Sequence, residues 1–265
     1  SSNWDSDFTV NFSSSPDSAC IGTNFVFTNS STFPAGTIFS YSWNLGDGGT
    51  STQNNASRQY AAYGRYPVRL VAVGANACND TITKFVRVYP KPRAAYSVND
   101  STQCFDGHSF VLANNSTIAE GTITTYDWNL DEGITSGLAT PANRLFTAPG
   151  TYNTTLRIAS AFGCEDSTRM GLYVYPSPTV TLIGDTACSG EELYFTGNAT
   201  VSPGNIQRYE WDLGDGNTST QQNPVHTYTS SGTFTLRLRA ITDQGCDATI
   251  NVPGAAVSLV RPNAN

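Results

Sequence analysis

Lysine is almost missing from this chain of 265 residues: only Lys84 and Lys91 occur, against 21 acidic residues, and the net charge is −7. Binding nucleic acid or an anionic membrane needs a basic patch, and no stretch of the sequence supplies one. Charged residues of both signs together make up 13%. No apolar run approaches the roughly 20 residues of a membrane-spanning helix, so direct membrane insertion is not expected. Helical periodicity is absent, which removes the glycine loop that opens onto a helix and cradles phosphate. Histidine occurs only at 108 and 226, and neither position stands in a visible Ser/His/Asp or Cys/His arrangement. The cysteines avoid CxxC spacing, so structural zinc is a poor reading. The amino end, SSNWDSDF, lacks the basic and hydrophobic regions of a signal peptide, and the chain stops in mid-pattern at RPNAN. We expect an excerpt from something longer rather than a mature product.

What is present is one motif used three times. Tyr41 to Gly49 reads YSWNLGDGG, Tyr126 to Gly133 reads YDWNLDEG, and Tyr209 to Gly216 reads YEWDLGDG. In each copy Tyr, Trp and Leu alternate with polar residues, the period-two pattern of a strand with one buried face, and a Gly/Asp run then makes a tight turn. Trp43, Trp128 and Trp211 are therefore expected as core pins, and Asp47, Asp131 and Asp215 as turn formers. The spacing divides the chain into units of small β-sandwich size, each long enough to bury its own core.

Within the first unit, FTVNF (8–12) and NFVFTN (24–29) read as strands joined by a polar connection. The Trp strand follows (39–45), then a weak return strand toward Gln59 and Tyr60. GRYPVRLVAVG (64–74) places Tyr66, Val68, Leu70 and Ala72 on one face, and TITKFVRVY (81–89) closes the unit. The same succession recurs twice, with a divergent last strand through AAVSLV (255–260). Pro90-Lys-Pro92 and Pro176-Ser-Pro178 restrict the backbone to extended conformations and read as stiff joints. The expected fold is all-β, three tandem immunoglobulin-like sandwiches in an elongated rod, with domains at 1–91, 92–177 and 178–265. Gly64, Gly150 and Gly232 each precede Xaa-Tyr or Xaa-Phe; Tyr66 and Tyr152 suit a tyrosine corner, whose hydroxyl caps nearby backbone, whereas Phe234 fills the place without that bond.

The order WNLGDG, then NPVHTY (223–228), then SGTFTLRLRA (231–240) resembles the PKD (polycystic kidney disease) repeat. The resemblance covers all three units. The added cysteines, in CIGTNFVF and CSGEELYF before the second strand and in GCEDST and GCDAT after the sixth, are similar to those of repeats in large surface proteins of gliding and adhesive Bacteroidota. The resemblance implies an immunoglobulin-like sandwich serving as a spacer in adhesins and filaments, or as an accessory module beside secreted hydrolases. The second unit departs from it, with Asp131 and Glu132 replacing the Gly-Asp pair.

The residues that could carry chemistry are few. A carboxylate in a glycine-rich turn commonly accepts bonds from backbone N–H groups two residues on, and that is the expected duty of Asp47, Asp131 and Asp215. Calcium held by turn oxygens is the other reading, although no unit has the dense ligand spacing of a dedicated loop; no other cofactor is expected. General acid–base catalysis would need a second carboxylate in a cleft, and a turn repeated three times suits a scaffold better than an active site. His108 and His226 are expected to be satisfied structural histidines.

Six cysteines in a repeating frame point to disulfides and an oxidising, extracellular or cell-surface location. The simple pairing lies inside each unit, Cys20 with Cys78, Cys104 with Cys164 and Cys188 with Cys246. In an immunoglobulin-like order, however, those partners sit at opposite ends of one sandwich, roughly 20 Å apart for a six-residue strand, against the 4.4–6.8 Å a disulfide allows between Cα atoms. Stacked end to end, the far end of one unit meets the near end of the next. That favours Cys20 with Cys164 and Cys104 with Cys246, leaving Cys78 and Cys188 for flanking repeats or neighbouring subunits. Asp-Ser/Thr tripeptides at Ser18, Thr81, Ser101, Ser167 and Thr186 resemble an O-glycosylation signal of Bacteroidota surface proteins and also read as turn chemistry.

The leading functional expectation is a structural spacer or filament segment of an extracellular bacterial surface protein, with no catalytic site. Its partners would be neighbouring repeats or copies of itself. The alternative is a glycan- or protein-binding accessory module, which would need an exposed aromatic row from Trp4, Tyr60, Tyr63 or Tyr173.

Overall fold

The computed structural model describes residues 8–33, 36–74 and 79–260. The first sandwich contains β1 (Phe12–Ser15), β2 (Ser18–Cys20), β3 (Asn24–Asn29), β4 (Ile38–Asn44), β5 (Thr50–Ser51), β6 (Ala56–Gln59), β7 (Gly64–Gly74) and β8 (Asn79–Tyr89). The second contains β9 (Tyr96–Val98), β10 (Thr102–Cys104), β11 (Leu112–Asn114), β12 (Ile123–Asn129), β13 (Thr135–Ser136), β14 (Gly150–Ser160) and β15 (Glu165–Tyr175). The third contains β16 (Thr179–Ile183), β17 (Asp185–Cys188), β18 (Glu192–Tyr194), β19 (Thr196–Thr200), β20 (Ile206–Asp212), β21 (Thr218–Ser219), β22 (Val225–Thr227), β23 (Gly232–Thr242) and β24 (Asp247–Leu259).

Each sandwich has a five-stranded sheet of the same order: β2-β8-β7-β4-β5, β10-β15-β14-β12-β13 and β17-β24-β23-β20-β21. Smaller sheets cover the other side, β1-β3-β6 in the first sandwich, β11-β9 in the second, and β16-β19 with β18-β22 in the third. The described chain separates into two compact units. One comprises Ser1–Ser97, Ala113–Pro141 and Thr154–Arg169; the other comprises Val98–Leu112, Ala142–Asn153 and Met170–Asn265.

The repeated motif forms as its alternation requires. Along β4, Trp43 and the following Leu45 are buried while Ser42 and Asn44 face solvent. Trp43, Trp128 and Trp211 are 1%, 0% and 2% exposed. Burying about 200 Å² of aromatic surface at about 25 cal/mol per Å² contributes about 5 kcal/mol for each. Trp43 packs edge-on against Phe12, and Tyr96 packs edge-on against Trp128. The indole N–H donates to the Gln53 carbonyl in the first sandwich and to the Leu138 carbonyl in the second, both at 3.0 Å. Trp211 Nε1 is buried without a protein partner.

Three expectations are corrected. The first strand does not run from 8 to 12: Asn11 Oδ1 takes the Phe12 N–H at 2.9 Å and Val10 N–H turns to Asp80. Among the described residues, a bridge between Thr9 and Thr32 precedes β1. The polar connection conceals β2, which runs parallel to β8 with Cys20 opposite Tyr89. The last strand begins at Asp247, well before 255, and Pro253 with Gly254 (φ 70°) interrupts its register against β23 without ending it.

Candidate functional site: the cysteines and the ends of the sandwiches

β2, β10 and β17 are edge strands of three or four residues, too short to be stable alone; each is held by parallel pairing to the last strand of its sandwich. Pairing sets Cys20 opposite Tyr89, Cys104 opposite Tyr175 and Cys188 opposite Leu259. In each case the next amide donates to that last residue's carbonyl at 2.8 Å: Ile21 to Tyr89, Phe105 to Tyr175 and Ser189 to Leu259. The three cysteines therefore occupy one equivalent place.

The other described cysteines stand in the turn that leads into the last strand. Cys164 directly precedes β15 and Cys246 directly precedes β24. Ser160 N–H donates to the Cys164 carbonyl, and Cys164 N–H donates to Ser160 Oγ at 3.2 Å. Thr242 repeats both bonds with Cys246, at 2.8 and 3.0 Å. Gly163 (φ 76°) and Gly245 (φ 83°) supply the left-handed residue that closes these turns.

Cys20 is bonded to Cys164 and Cys104 to Cys246, with Cα separations of 5.6 and 5.4 Å. Each bond ties the edge strand of one sandwich to the hairpin of the next. Around the first bond, Tyr89 stacks on Phe162 with ring centroids 4.0 Å apart, and Arg87 pairs with Glu120. Gly121 is required here, because a Cβ on it would stand 2.6 Å from the Phe162 ring. Cys188 carries a free thiol. Cys78 lies outside the described residues.

The acidic turns do structural work. Asp47 Oδ1 accepts from Gly49 N–H, Asp215 Oδ1 from Asn217 N–H, both at 3.1 Å, and Asp131 Oδ1 from Glu132 N–H at 2.8 Å. The second oxygen of Asp47 is taken by Arg58 at 2.8 Å, and that of Asp215 by His226 at 2.7 Å. Burial opposes the charged form of Asp215, but hydrogen bonds from His226 and from the Asn217 side chain and backbone outweigh it and hold the carboxyl below its usual range. The second unit keeps the turn although Asp131 and Glu132 replace the Gly-Asp pair: they adopt φ of 66° and 47°, Gly133 keeps its positive φ of 74°, and Leu130 N–H still meets the Ile134 carbonyl at 2.8 Å.

Sequence reasoning missed a second layer of turn formers. Asn44, Asn129 and Asp212 each accept from the amide two residues on, at 2.9, 3.0 and 2.9 Å. Their place directly after the tryptophan was the available signal. It also missed a stacked aromatic pair, Tyr60 with Tyr66, Phe146 with Tyr152, and Tyr228 with Phe234, centroids 4.0, 3.7 and 3.9 Å apart. Tyr60 and Tyr228 are 1% exposed and donate to the Leu45 and Leu213 carbonyls at 2.7 and 2.6 Å. Tyr66 and Tyr152 donate to the Ala62 and Ala148 carbonyls four residues back, at 2.9 and 2.6 Å.

Tyr60 is thereby removed from any binding row. Tyr63 is 45% exposed, Tyr173 is half-buried against Tyr175, and Trp4 lies outside the described residues. His108 is buried and bonded at both nitrogens, Nδ1 with the Phe105 carbonyl at 2.6 Å and Nε2 accepting from Phe146 N–H at 2.7 Å. Ser18, Thr81, Ser101, Ser167 and Thr186 are all exposed. Four of the five neighbouring carboxylates are engaged: Asp80 accepts from Val10 N–H, Asp166 from Ala94 N–H, Asp100 from Thr102 N–H and Asp185 from Tyr194 N–H.

Among the described residues, no three His, Cys, Asp or Glu side chains gather as a metal site requires, and no helix is long and apolar enough to cross a membrane. A shallow hollow of about 290 Å³ on the third sandwich is lined by Glu210, Asp212, Arg237 and Arg239. Its acid Glu210 is tied to Arg208 and Arg239, at 3.0 and 3.1 Å.

Among curated proteins, the chain is 38% identical over 64 residues to collagenase ColQ1 of Bacillus cereus, covering 23% of this chain and 7% of the relative. It is 26% identical over 148 residues to the pre-pro-metalloprotease PrtV of Vibrio cholerae, covering 56% of this chain and 16% of PrtV. It thus spans only a small part of these relatives' length. The solved PKD1 domain of Vibrio cholerae PrtV aligns at 29% identity with a TM-score of 0.25, over 30% of this chain and 93% of that domain. The PKD1 domain of Vibrio anguillarum Epp aligns at 22% identity with a TM-score of 0.29, over 32% and 96%. The family model described as PKD domain matches three successive segments, residues 9–88, 90–172 and 175–253. This chain is a tandem array of PKD domains and belongs to that family.

Proposed function

We propose that this chain is a structural spacer or filament-forming segment of an extracellular bacterial surface protein, such as an adhesin, fibre or gliding-type stalk, and that it has no catalytic role. Its sandwiches meet at 91/92 and 177/178. The observation that carries the reading is the pair of interlocking disulfides, each joining one sandwich to its successor. Such bonds add no chemistry to a binding face, but they limit how far the chain lengthens when pulled. The same bonds support an oxidising, extracellular location. The exposed hydroxyls of Ser18, Ser101, Ser167 and Thr186 remain open to O-glycosylation, which intact mass would report as added hexose, whereas the Thr81 hydroxyl already donates to the Leu70 carbonyl and accepts from Arg69. Small-angle scattering tests the spacer role: a maximum dimension that broadens when all four bonded cysteines become serine supports it, and an unchanged distribution counts against it.

A second reading, an accessory module that binds a glycan or protein within a secreted multidomain protein, is favoured by one observation. Val26 on β3, Val111 directly before β11 and Tyr194 on β18 each stand between two buried side chains and are 41%, 44% and 60% exposed. Binding to a glycan array or to collagen that is lost in Tyr194→Ser would support this reading over the first.

A further inference from the structure

We infer that the Cys188 end of the third sandwich is an acceptor for the hairpin of another PKD sandwich, closed by a disulfide from Cys188 to the cysteine that precedes that sandwich's last strand. The inference goes beyond the spacer reading and does not depend on it, since an accessory module would present the same end.

The chain supplies its own comparison. Cys188 shares its register, its parallel partner strand and the following 2.8 Å hydrogen bond with Cys20 and Cys104. Both of those are bonded to the hairpin cysteine of the next sandwich. Two of three equivalent positions thus hold the same kind of partner, and the third holds a free thiol. The surroundings point the same way. Tyr89, opposite Cys20, is covered by the Phe162 ring of the incoming hairpin, whereas Leu259, opposite Cys188, is 49% exposed and Val260 is 76% exposed. An apolar rim beside a free thiol is what the first bonded end would present without its partner.

A second copy of this chain carries one suitable cysteine. Cys78 directly precedes β8 in the sequence, as Cys164 precedes β15 and Cys246 precedes β24. Oxidised glutathione balances the reaction. The thiolate of Cys188 attacks its disulfide, releasing one glutathione; the partner thiolate then displaces the second. One protein disulfide forms, and the two electrons and two protons end on two molecules of reduced glutathione.

The test mixes two full-length variants in a glutathione redox buffer. Cys78→Ser leaves Cys188 as the only free thiol, and Cys188→Ser leaves Cys78. Peptide mapping first verifies that each retains the Cys20–Cys164 and Cys104–Cys246 bonds. The expected product is a covalent heterodimer containing the Cys188–Cys78 linked peptide, with each variant alone staying monomeric. Leu259→Asp in the Cys78→Ser partner should reduce heterodimer yield several-fold while its thiol still reacts normally with a small maleimide. Heterodimer no more abundant than a Cys188–Cys188 dimer of Cys78→Ser alone, or a yield indifferent to Leu259→Asp, would overturn the inference.

Discussion

Pulling on the ends of the chain should reveal length that the disulfides hide. Without bridges, the segment from Cys20 to Cys246 would stretch to about 770 Å at about 3.4 Å per residue. With both bonds intact, the shortest covalent route crosses from Cys20 to Cys164 and follows the chain to Cys246, which reaches only about 280 Å. The route through Cys104 is nearly the same length, so both strands of the loop tighten together. Reduction therefore frees about 490 Å, the extended length of the 144 residues between Cys20 and Cys164. The assay is single-molecule force spectroscopy with handles at the two termini, before and after a thiol reductant. Sandwiches unfold in both conditions because each has its own core, but the final contour length should differ by that amount. A final length unaffected by reductant would refute the reasoning, as would a hidden length nearer 600 Å, the value for three bonds closed inside the sandwiches.

Three further outcomes follow from individual side chains. Tyr228→Phe should cost the third sandwich about 1–3 kcal/mol in chemical denaturation, because the Leu213 carbonyl stays buried without its donor; Tyr60→Phe should do the same to the first through Leu45. Burial, with help from Asp215 and Asp212, pushes the Tyr228 hydroxyl up to about 12. The folded state thus holds that proton more tightly than the unfolded chain, whose value is about 10. Its stabilisation is complete below about pH 10 and is lost as pH rises toward 12, a slope that should be shallower in circular dichroism melts of Tyr228→Phe, where the raised Tyr60 hydroxyl supplies what is left. His108→Leu should cost about 2 kcal/mol and speed hydrogen exchange at the Phe146 amide, since a half-buried carbonyl and a buried N–H both lose their partner. Asp215 has a carboxyl held below its usual range, so its contribution is present above about pH 4 and fades as pH falls through the lowered value. Asp215→Asn should remove that acid-side slope from melts between pH 2 and 5 and cost under about 1 kcal/mol at neutral pH.

How much of this was legible depended on the range of the forces involved. Alternation along Tyr41, Trp43 and Leu45 is a local property, because a strand with one wet face must place its apolar residues two apart. The sequence therefore determined the all-β class, the three repeats, the buried tryptophans and the long strands 64–74 and 24–29 without reference to any partner. The short edge strands carried no such pattern: β2 is three residues long and exists because the end of β8 offers it hydrogen bonds, so it read as loop. The same limit hid Asn44, Asn129 and Asp212, whose role depends on a backbone amide turned back toward the side chain. Tyr60 read as a candidate surface ring for want of any local sign that the Leu45 carbonyl waited above it. For the cysteines, sequence reasoning left two pairings open, and only the tertiary structure decides between them. A disulfide forms where two Cα atoms come within about 4.4–6.8 Å, and which cysteines meet at that distance is set by how one sandwich follows another.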